Sequence, residues 1–226
     1  MKIVGARYLV AAVISAFICV LLIGPTMAFA DETIKLSEPK FKSGATILTA
    51  LKNRKSDRSF DSARALTQQQ LSELLWAAGG VNRPAVDGEK PGRTFPSGHN
   101  SQCIDIYAFM SDGIYRYEPE AHELKLIQKG DHRAATGVQN YVADAPLNLL
   151  YVAHMSQAPG STEMDKRVNV SYDVGHMSQS VYLYCASSGL NVIVRSSIDQ
   201  EALRKLLGLN NTYEPLLGQT IGFQSK

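Results

Sequence analysis

The chain has 226 residues, 45% of them hydrophobic, with 23 Lys+Arg against 21 Asp+Glu and a formal charge of +2. That near-balance lacks the marked basic excess of proteins that grip a phosphate backbone, so nucleic acid is not an expected partner. Three cysteines, one of them within the apolar N-terminal run, are too few for a disulfide scaffold.

Residues 1–30 read as a secretory leader. Lys2 and Arg7 form a basic start, Tyr8 to Ile23 an apolar run, Gly24-Pro25 a break, and Ala28-Phe29-Ala30 a small–x–small cleavage pattern before Asp31. The apolar run of 16 residues is shorter than the roughly 20 that a spanning helix needs. Cleavage and export to the periplasm or medium are therefore expected, with only transient membrane contact. Residues 31–226 then form one domain of 196 residues with 21 positive and 21 negative side chains, keeping Cys103 and Cys185.

Along that domain, Asp31 to Lys42 is polar and reads as a loose lead-in. Gly44 to Leu51 reads as a short helix that stops at "NRKSDRSF". Thr67-Gln-Gln-Gln70 is a capping box opening a helix with Leu71, Leu74, Leu75 and Ala78 on one face, closed by Gly79-Gly80. Asn82 to Arg93 reads as a long polar loop. A strand from Ile104, a Ser-Asp-Gly turn, a return strand over Ile114 to Tyr117 and a third over Leu124 to Ile127 follow. "APLNLLYVAH" has the continuous apolar character of a buried central strand. From Asp173 the pattern is that of a helix buried on most sides and stopped by Gly189. Asn191 to Val194 is a strand, Asp199 caps a helix to Leu207, and Leu216 to Phe223 is the last strand. Helices and strands mix without βαβ alternation, which predicts an α+β fold.

Two stretches carry candidate chemistry. In "NRKSDRSF", alternate residues of an extended segment bring Arg54, Ser56 and Arg58 toward one object. Two guanidiniums and a hydroxyl make a phosphate clamp, although a basic run is also what an ordinary solvated loop looks like. In "FPSGHNSQCIDIYAFM", a run of small hydrogen-bonding residues (Ser97, Asn100, Ser101, Gln102) stands at the mouth of a strand. That run suits the edge of a planar heteroaromatic ring. A phosphate grip and a ring-lining loop together match the needs of a flavin mononucleotide, FMN.

With these motifs the sequence resembles the FMN-dependent nitroreductase superfamily. The resemblance rests on Arg54-x-Ser56-x-Arg58, on Pro96-Ser97-x-x-Asn100-Ser101-Gln102 leading into a strand, and on "TQQQLSELLWAAGGVNR" and "GHMSQSVYLYCASSGLNV". "GIYRYEPEAHELKLI" and "YVADAPLNLLYVA" place it nearest the branch of the azoline dehydrogenases. The resemblance spans about residues 50 to 223 and implies a three-layer fold, a central mostly antiparallel sheet flanked by helices. It also implies a homodimer formed through the long helices, with FMN at the interface. Arg54, Ser56 and Arg58 would then hold phosphate and ribityl chain. Ser97 and Asn100, with the Pro96 backbone and Gln102 beside them, would contact the ring or ribityl chain from the partner chain, and the turn at Arg195-Ser196-Ser197 would offer a backbone N–H. Ser196-Ser197 replaces the Glu-Gly pair of many relatives, Cys103-Ile104 replaces Pro-Trp, and the Lys-Tyr pair of azoline dehydrogenases has no counterpart. Arg204, Lys205 and Lys226 are the candidates for basic groups that some members place further on. No dedicated acid or base is assigned, because the cofactor carries the chemistry.

The remaining constellations have plain readings. His176 is expected as a packed helix histidine, Tyr182 and Tyr184 as packing, and no metal site is expected from His99, Cys103 and Asp105. A Cys-His hydrolase at Cys103 or Cys185 lacks any mark of an activated thiol. Two functions stand: a flavin oxidoreductase acting on a small conjugated or nitro-aromatic substrate, its donor other than a nicotinamide if exported, and a non-catalytic flavin-binding or electron-carrying protein.

Overall fold

The structure, a computed structural model, describes residues 32–41 and 44–225. The stretch expected to be a leader, residues 1–30, and Lys226 lie outside the described residues. In chain order the elements are β1 (Thr33–Lys35), α1 (Ile47–Asn53), α2 (Gln68–Gly79), β2 (Val81–Arg83), β3 (Gly92–Arg93), β4 (Ile104–Phe109), β5 (Gly113–Glu118) and β6 (Glu123–Lys129). Then come α3 (Tyr141–Asp144), β7 (Leu147–His154), α4 (Glu163–Ser188), β8 (Asn191–Arg195), α5 (Gln200–Leu206) and β9 (Tyr213–Gly222).

The apolar run at Leu147–His154 is the central strand, buried along all but its last residue. It pairs antiparallel with β4 on one side and β9 on the other, in a seven-stranded sheet of order β1-β6-β5-β4-β7-β9-β8 whose neighbours are all antiparallel. Period-2 alternation divides the sheet into two faces. Ile104, Ile106, Leu149 and Tyr151 face α2 and α4, while Tyr107, Phe109, Leu150 and Val152 face Leu203 and Leu207 at α5. The result is helix–sheet–helix, the layered α+β architecture expected. Leu74 and Leu75 of α2 are fully buried, each contributing about 1.5–3 kcal/mol by burial.

The helix ends follow their local chemistry. Thr67 and Gln70 close the capping box of α2, and Gly189 takes the left-handed conformation (φ 72) that ends α4. Gln219 crosses between layers, accepting from the Tyr151 hydroxyl at 2.7 Å and donating to Ser178 O at 3.1 Å.

Four expectations change. The polar lead-in contains β1, which pairs with β6; an edge strand needs open backbone groups rather than an apolar pattern, and Leu36 anchors it in the core. The loop Asn82–Arg93 is bounded by a short β2–β3 ladder. Helix α4 begins ten residues earlier than Asp173, at a second capping box formed by Thr162 and Asp165. Finally, His176 is an exposed surface residue rather than a packed one; from Asp173 on, α4 is buried or half-buried except at Gly175, His176 and Gln179, whereas its earlier residues Met164, Val168 and Tyr172 are exposed.

Candidate functional site

Helix α1 ends where the Arg54 N–H bonds to Ala50 O, and the chain leaves it extended. That strap is tied beside the edge strand β8: Asp57 N–H donates to Val192 O (3.0 Å) and the Asn191 amide to Ser59 O (2.8 Å). Asp61 N–H donates to Phe223 O at 2.8 Å. Lys55 pairs with Asp57 at 3.0 Å. The Ser59 N–H chiefly, helped by Lys55 and opposed by burial, holds the Asp57 carboxyl below the usual carboxylate range. Arg54, Ser56 and Arg58 are exposed, and neither guanidinium has a carboxylate partner among the described residues. Tyr182 of α4 gathers this segment. Its hydroxyl lies 2.8 Å from Ser56 Oγ and accepts the Val194 N–H at 3.0 Å, and the Arg54 guanidinium sits 5.4 Å from its ring centroid.

Arg58 also lines a cleft of about 500 Å³ together with Gln139, Tyr141, Arg195, Ser196 and Ser197. Beneath it Arg195 is buried and bonded only to neutral groups: Nε to Thr220 Oγ1 (3.0 Å), Nη2 to Asn148 Oδ1 (2.9 Å) and Thr136 Oγ1 (3.1 Å), and Nη1 to Thr136 O. Gly218 makes room for it, since a Cβ there would stand 2.7 Å from Arg195 Nη1. Burial pulls the Arg195 pKa down to about 10, opposed by the nearby Tyr141. A guanidinium of that pKa stays charged at neutral pH, so the cleft floor carries a positive charge with no carboxylate against it. Gln139 Oε1 is a buried acceptor with no hydrogen-bond partner among the described residues. An unpartnered acceptor and an unneutralised cation in one wall are costly unless a ligand or water meets them.

The loop at Pro96–Gln102 is built differently. Ser97 Oγ donates to Asp173 Oδ2 (2.8 Å) and accepts the Gln102 N–H (3.0 Å), while Gly98 N–H donates to Asp173 Oδ1 (3.1 Å). The Gln102 amide donates to Pro91 O (2.6 Å) and Asn100 Oδ1 (2.8 Å) and accepts from Arg93 Nη1 (3.0 Å). His99, Asn100 and Gln102 all hold φ near +50°, a conformation that costs non-glycine residues energy. Pro96, His99 and Asn100 face solvent. Within one chain, then, Arg58, Ser196 and Ser197 share a cleft, Arg54 and Ser56 adjoin it through Tyr182, and the loop Pro96–Gln102 stands apart. Both groups are moored to α4, the loop at Asp173 and the strap at Tyr182, about 14 Å apart along its axis.

Other candidates recede. Cys103 and Cys185 are both free and buried, and burial pushes both thiols up, away from nucleophilic thiolate. Among the described residues no three His, Cys, Asp or Glu side chains gather as metal ligands. Arg204 and Lys205 do not line the cleft; the cations among its described lining residues are Arg58 and Arg195. A second hollow of about 300 Å³ is lined by Asp105, Arg116, Glu118 and His154, but Glu118 neutralises Arg116 at 2.7 Å and His154 is stacked on Tyr213. The sequence marked Arg195 only for its backbone, and marked neither Gln139 nor Tyr182 as a site residue. An arginine closing the apolar strand Asn191–Arg195 was the available signal for the first; a contact between residues 56 and 182 leaves none.

Comparison with known proteins agrees with this fold. The model of the nitroreductase family matches residues 51–223. A curated relative from Methanocaldococcus jannaschii, assigned to the nitroreductases, is 29% identical over 179 residues, covering 75% of this chain and 86% of its own. A crystal structure from Ralstonia eutropha JMP134, also assigned to the nitroreductases, is 39% identical with a TM-score of 0.78, covering 86% of this chain and 90% of that one. Two solved structures share the fold at lower identity. A chain of the Escherichia coli microcin synthetase McbBCD complex is 18% identical (TM-score 0.64, 97% of this chain and 85% of that one). A Desulfovibrio desulfuricans protein in complex with FMN, assigned to the nitroreductases, is 16% identical (TM-score 0.58, 80% and 88%).

Proposed function

The chain belongs to the nitroreductase family, and on that premise we propose that it is an FMN-dependent oxidoreductase moving hydride or electrons to or from a small conjugated or nitro-aromatic substrate. One observation carries the reading. Two guanidiniums without carboxylate partners flank a serine hydroxyl, and one of them, Arg58, lines a cleft that also holds the buried, unneutralised Arg195, while Arg54 and Ser56 adjoin it through Tyr182. Arg54, Ser56 and Arg58 hold the phosphate, since planar donors bind its oxygens in pairs. Arg195 gives the cleft a fixed positive charge that favours the carbonyl oxygens of a polar ring, and Gln139, whose buried Oε1 has no partner among the described residues, has a donor to gain by turning toward a ring N–H. Ser196 and Ser197 add exposed hydrogen-bonding groups at the same rim. The flavin, when bound, supplies the redox chemistry. The cleft wall contains no His, Asp, Glu or Lys among the described residues, so the protein's part there is to bind, orient and set charge.

The loop Pro96–Gln102 serves the site of a second copy. In this arrangement Pro96 and Asn100 face the neighbouring ring while Ser97 and Gln102 hold the loop in shape. Support comes from the 14 Å separation along α4 noted above and from the exposed apolar residues Met164, Val168 and Tyr172 at helical spacing, with Ile47, Leu48 and Leu51 on α1. A homodimer through these helices covers them. With residues 1–30 as a secretory leader, the electron donor is a reduced quinone or redox partner outside the cytoplasm rather than a nicotinamide.

An absorbance spectrum and a calorimetric titration with riboflavin phosphate test the reading, followed by reduction and reoxidation with a nitro-aromatic acceptor. A yellow, stoichiometric complex that turns over supports it. A complex that binds flavin and never turns over favours the binding or electron-carrier alternative. A colourless protein indifferent to riboflavin phosphate ends both.

A further inference from the structure

Tyr182 is 6% exposed, yet its oxygen makes polar contacts that plain packing would not require. A phenol has one proton and two acceptor sites. The Val194 N–H, 3.0 Å away, can only donate, so it takes one of those sites. Ser56 Oγ, 2.8 Å away, either gives its proton to the phenol or receives the phenol's. An anion beside Ser56, drawn there by Arg54 and Arg58, settles the choice, because an anion can only accept. Ser56 then donates to the anion and accepts from Tyr182. A ligand without that anion leaves the serine free to turn its proton back to the phenol.

We infer that Tyr182 is the specificity-determining positioning residue of the strap: acting through Ser56, it makes the site prefer a ligand carrying a phosphate over the same ring without one. This rests on the flavin reading above. The Arg54 guanidinium over the Tyr182 ring and the Val194 N–H on its oxygen join the three parts of the site, the strap, α4 and β8, at one side chain. The rigid phenol fixes where the Ser56 hydroxyl lies before ligand arrives, and preorganisation of that kind raises affinity by lowering the ordering cost.

The test is calorimetric titration of riboflavin phosphate and of riboflavin into the wild type, Tyr182→Phe, Ser56→Ala and the double variant. Tyr182→Phe keeps the ring and its stacking on Arg54, and Ser56 is exposed, so near-ultraviolet circular dichroism of both variants is expected to match the wild type. The expected result is a wild type that prefers riboflavin phosphate, and a Tyr182→Phe variant whose preference falls about tenfold while its riboflavin affinity stays within about twofold. The double variant is expected to lose no more preference than Ser56→Ala alone, the non-additivity of two groups acting in series. Equal weakening toward both ligands would make Tyr182 merely structural and overturn the inference. Unchanged preference in Tyr182→Phe, or additive losses, would overturn it as well. A wild type that binds neither flavin sinks the flavin reading itself, and this inference with it.

Discussion

Between Arg54 and Arg58 the chain presents two guanidiniums with no carboxylate against them, on a segment held in place by backbone bonds to β8 and the end of β9. Between Pro96 and Gln102, a stretch just as polar, the hydroxyl of Ser97 and the amide of Gln102 already have partners within the chain: Asp173, Pro91, Asn100 and Arg93. In the first region the scaffold is mostly main chain and the two guanidiniums are left without a counter-charge among the described residues. In the second the side chains are the scaffold, and what is left over is the loop's shape, with three non-glycine residues held at φ near +50°. Polar composition is thus a statement of demand for partners; whether a ligand or the protein meets that demand depends on what the fold brings within about 3 Å.

The widest gap between the two regions is expected from the double substitution Arg54→Ala/Arg58→Ala. Each charge-assisted contact to phosphate is worth about 1.5–3 kcal/mol, so affinity for riboflavin phosphate falls by about two to four orders of magnitude. The melting temperature of the flavin-free protein falls by no more than about 4 °C, because no ion pair is lost among the described residues and the contact of Arg54 over the Tyr182 ring is worth only about 0.5–1 kcal/mol. If melting temperature falls in step with affinity, the arginines are structural and the distinction between the regions fails.

Asp173→Ala reverses the pattern. It removes a buried carboxylate that accepts from both Ser97 Oγ and Gly98 N–H, leaving two donors unmet at a cost of about 2–4 kcal/mol in the flavin-free protein. Urea unfolding measures it. A change below about 0.5 kcal/mol would mean that the loop is held by something other than its mooring on α4.

The sequence showed the fold clearly wherever one face of an element meets one layer. The capping box at Thr67, the apolar run at Leu147–His154, the hairpin from β4 to β5 and the glycine stop at Gly189 each write their structure into neighbouring residues. The first ten residues of α4 were opaque because Met164, Val168 and Tyr172 point away from the core of their own chain, which disturbs the amphipathic pattern. β1 was opaque because its place is decided by the open edge of β6. At the site, the strap was legible through the spacing of its charges. Gln139, Tyr182 and the side-chain role of Arg195 were not, since each is defined by residues far away in the chain: Ser56 for Tyr182, and Thr136, Asn148 and Thr220 for Arg195.

The finest distinction lies at Gln102, where backbone strain and side-chain bonding oppose each other. Its φ of 50 is a conformation glycine adopts freely, so Gln102→Gly relieves about 1 kcal/mol of strain while losing three amide bonds, one of them from the Arg93 guanidinium, worth at least about 2.5 kcal/mol together. Gln102→Ala loses the same bonds and keeps the strain. The alanine variant is therefore expected to be less stable than the wild type by about 2.5 kcal/mol and the glycine variant by about 1.5 kcal/mol, as read from urea midpoints at constant slope. Both are expected to leave flavin affinity within about threefold if the amide only braces the loop. If instead the Gln102 side chain meets the ring, the two variants lose affinity equally although their stabilities differ, because binding then depends on the missing amide and folding on the backbone.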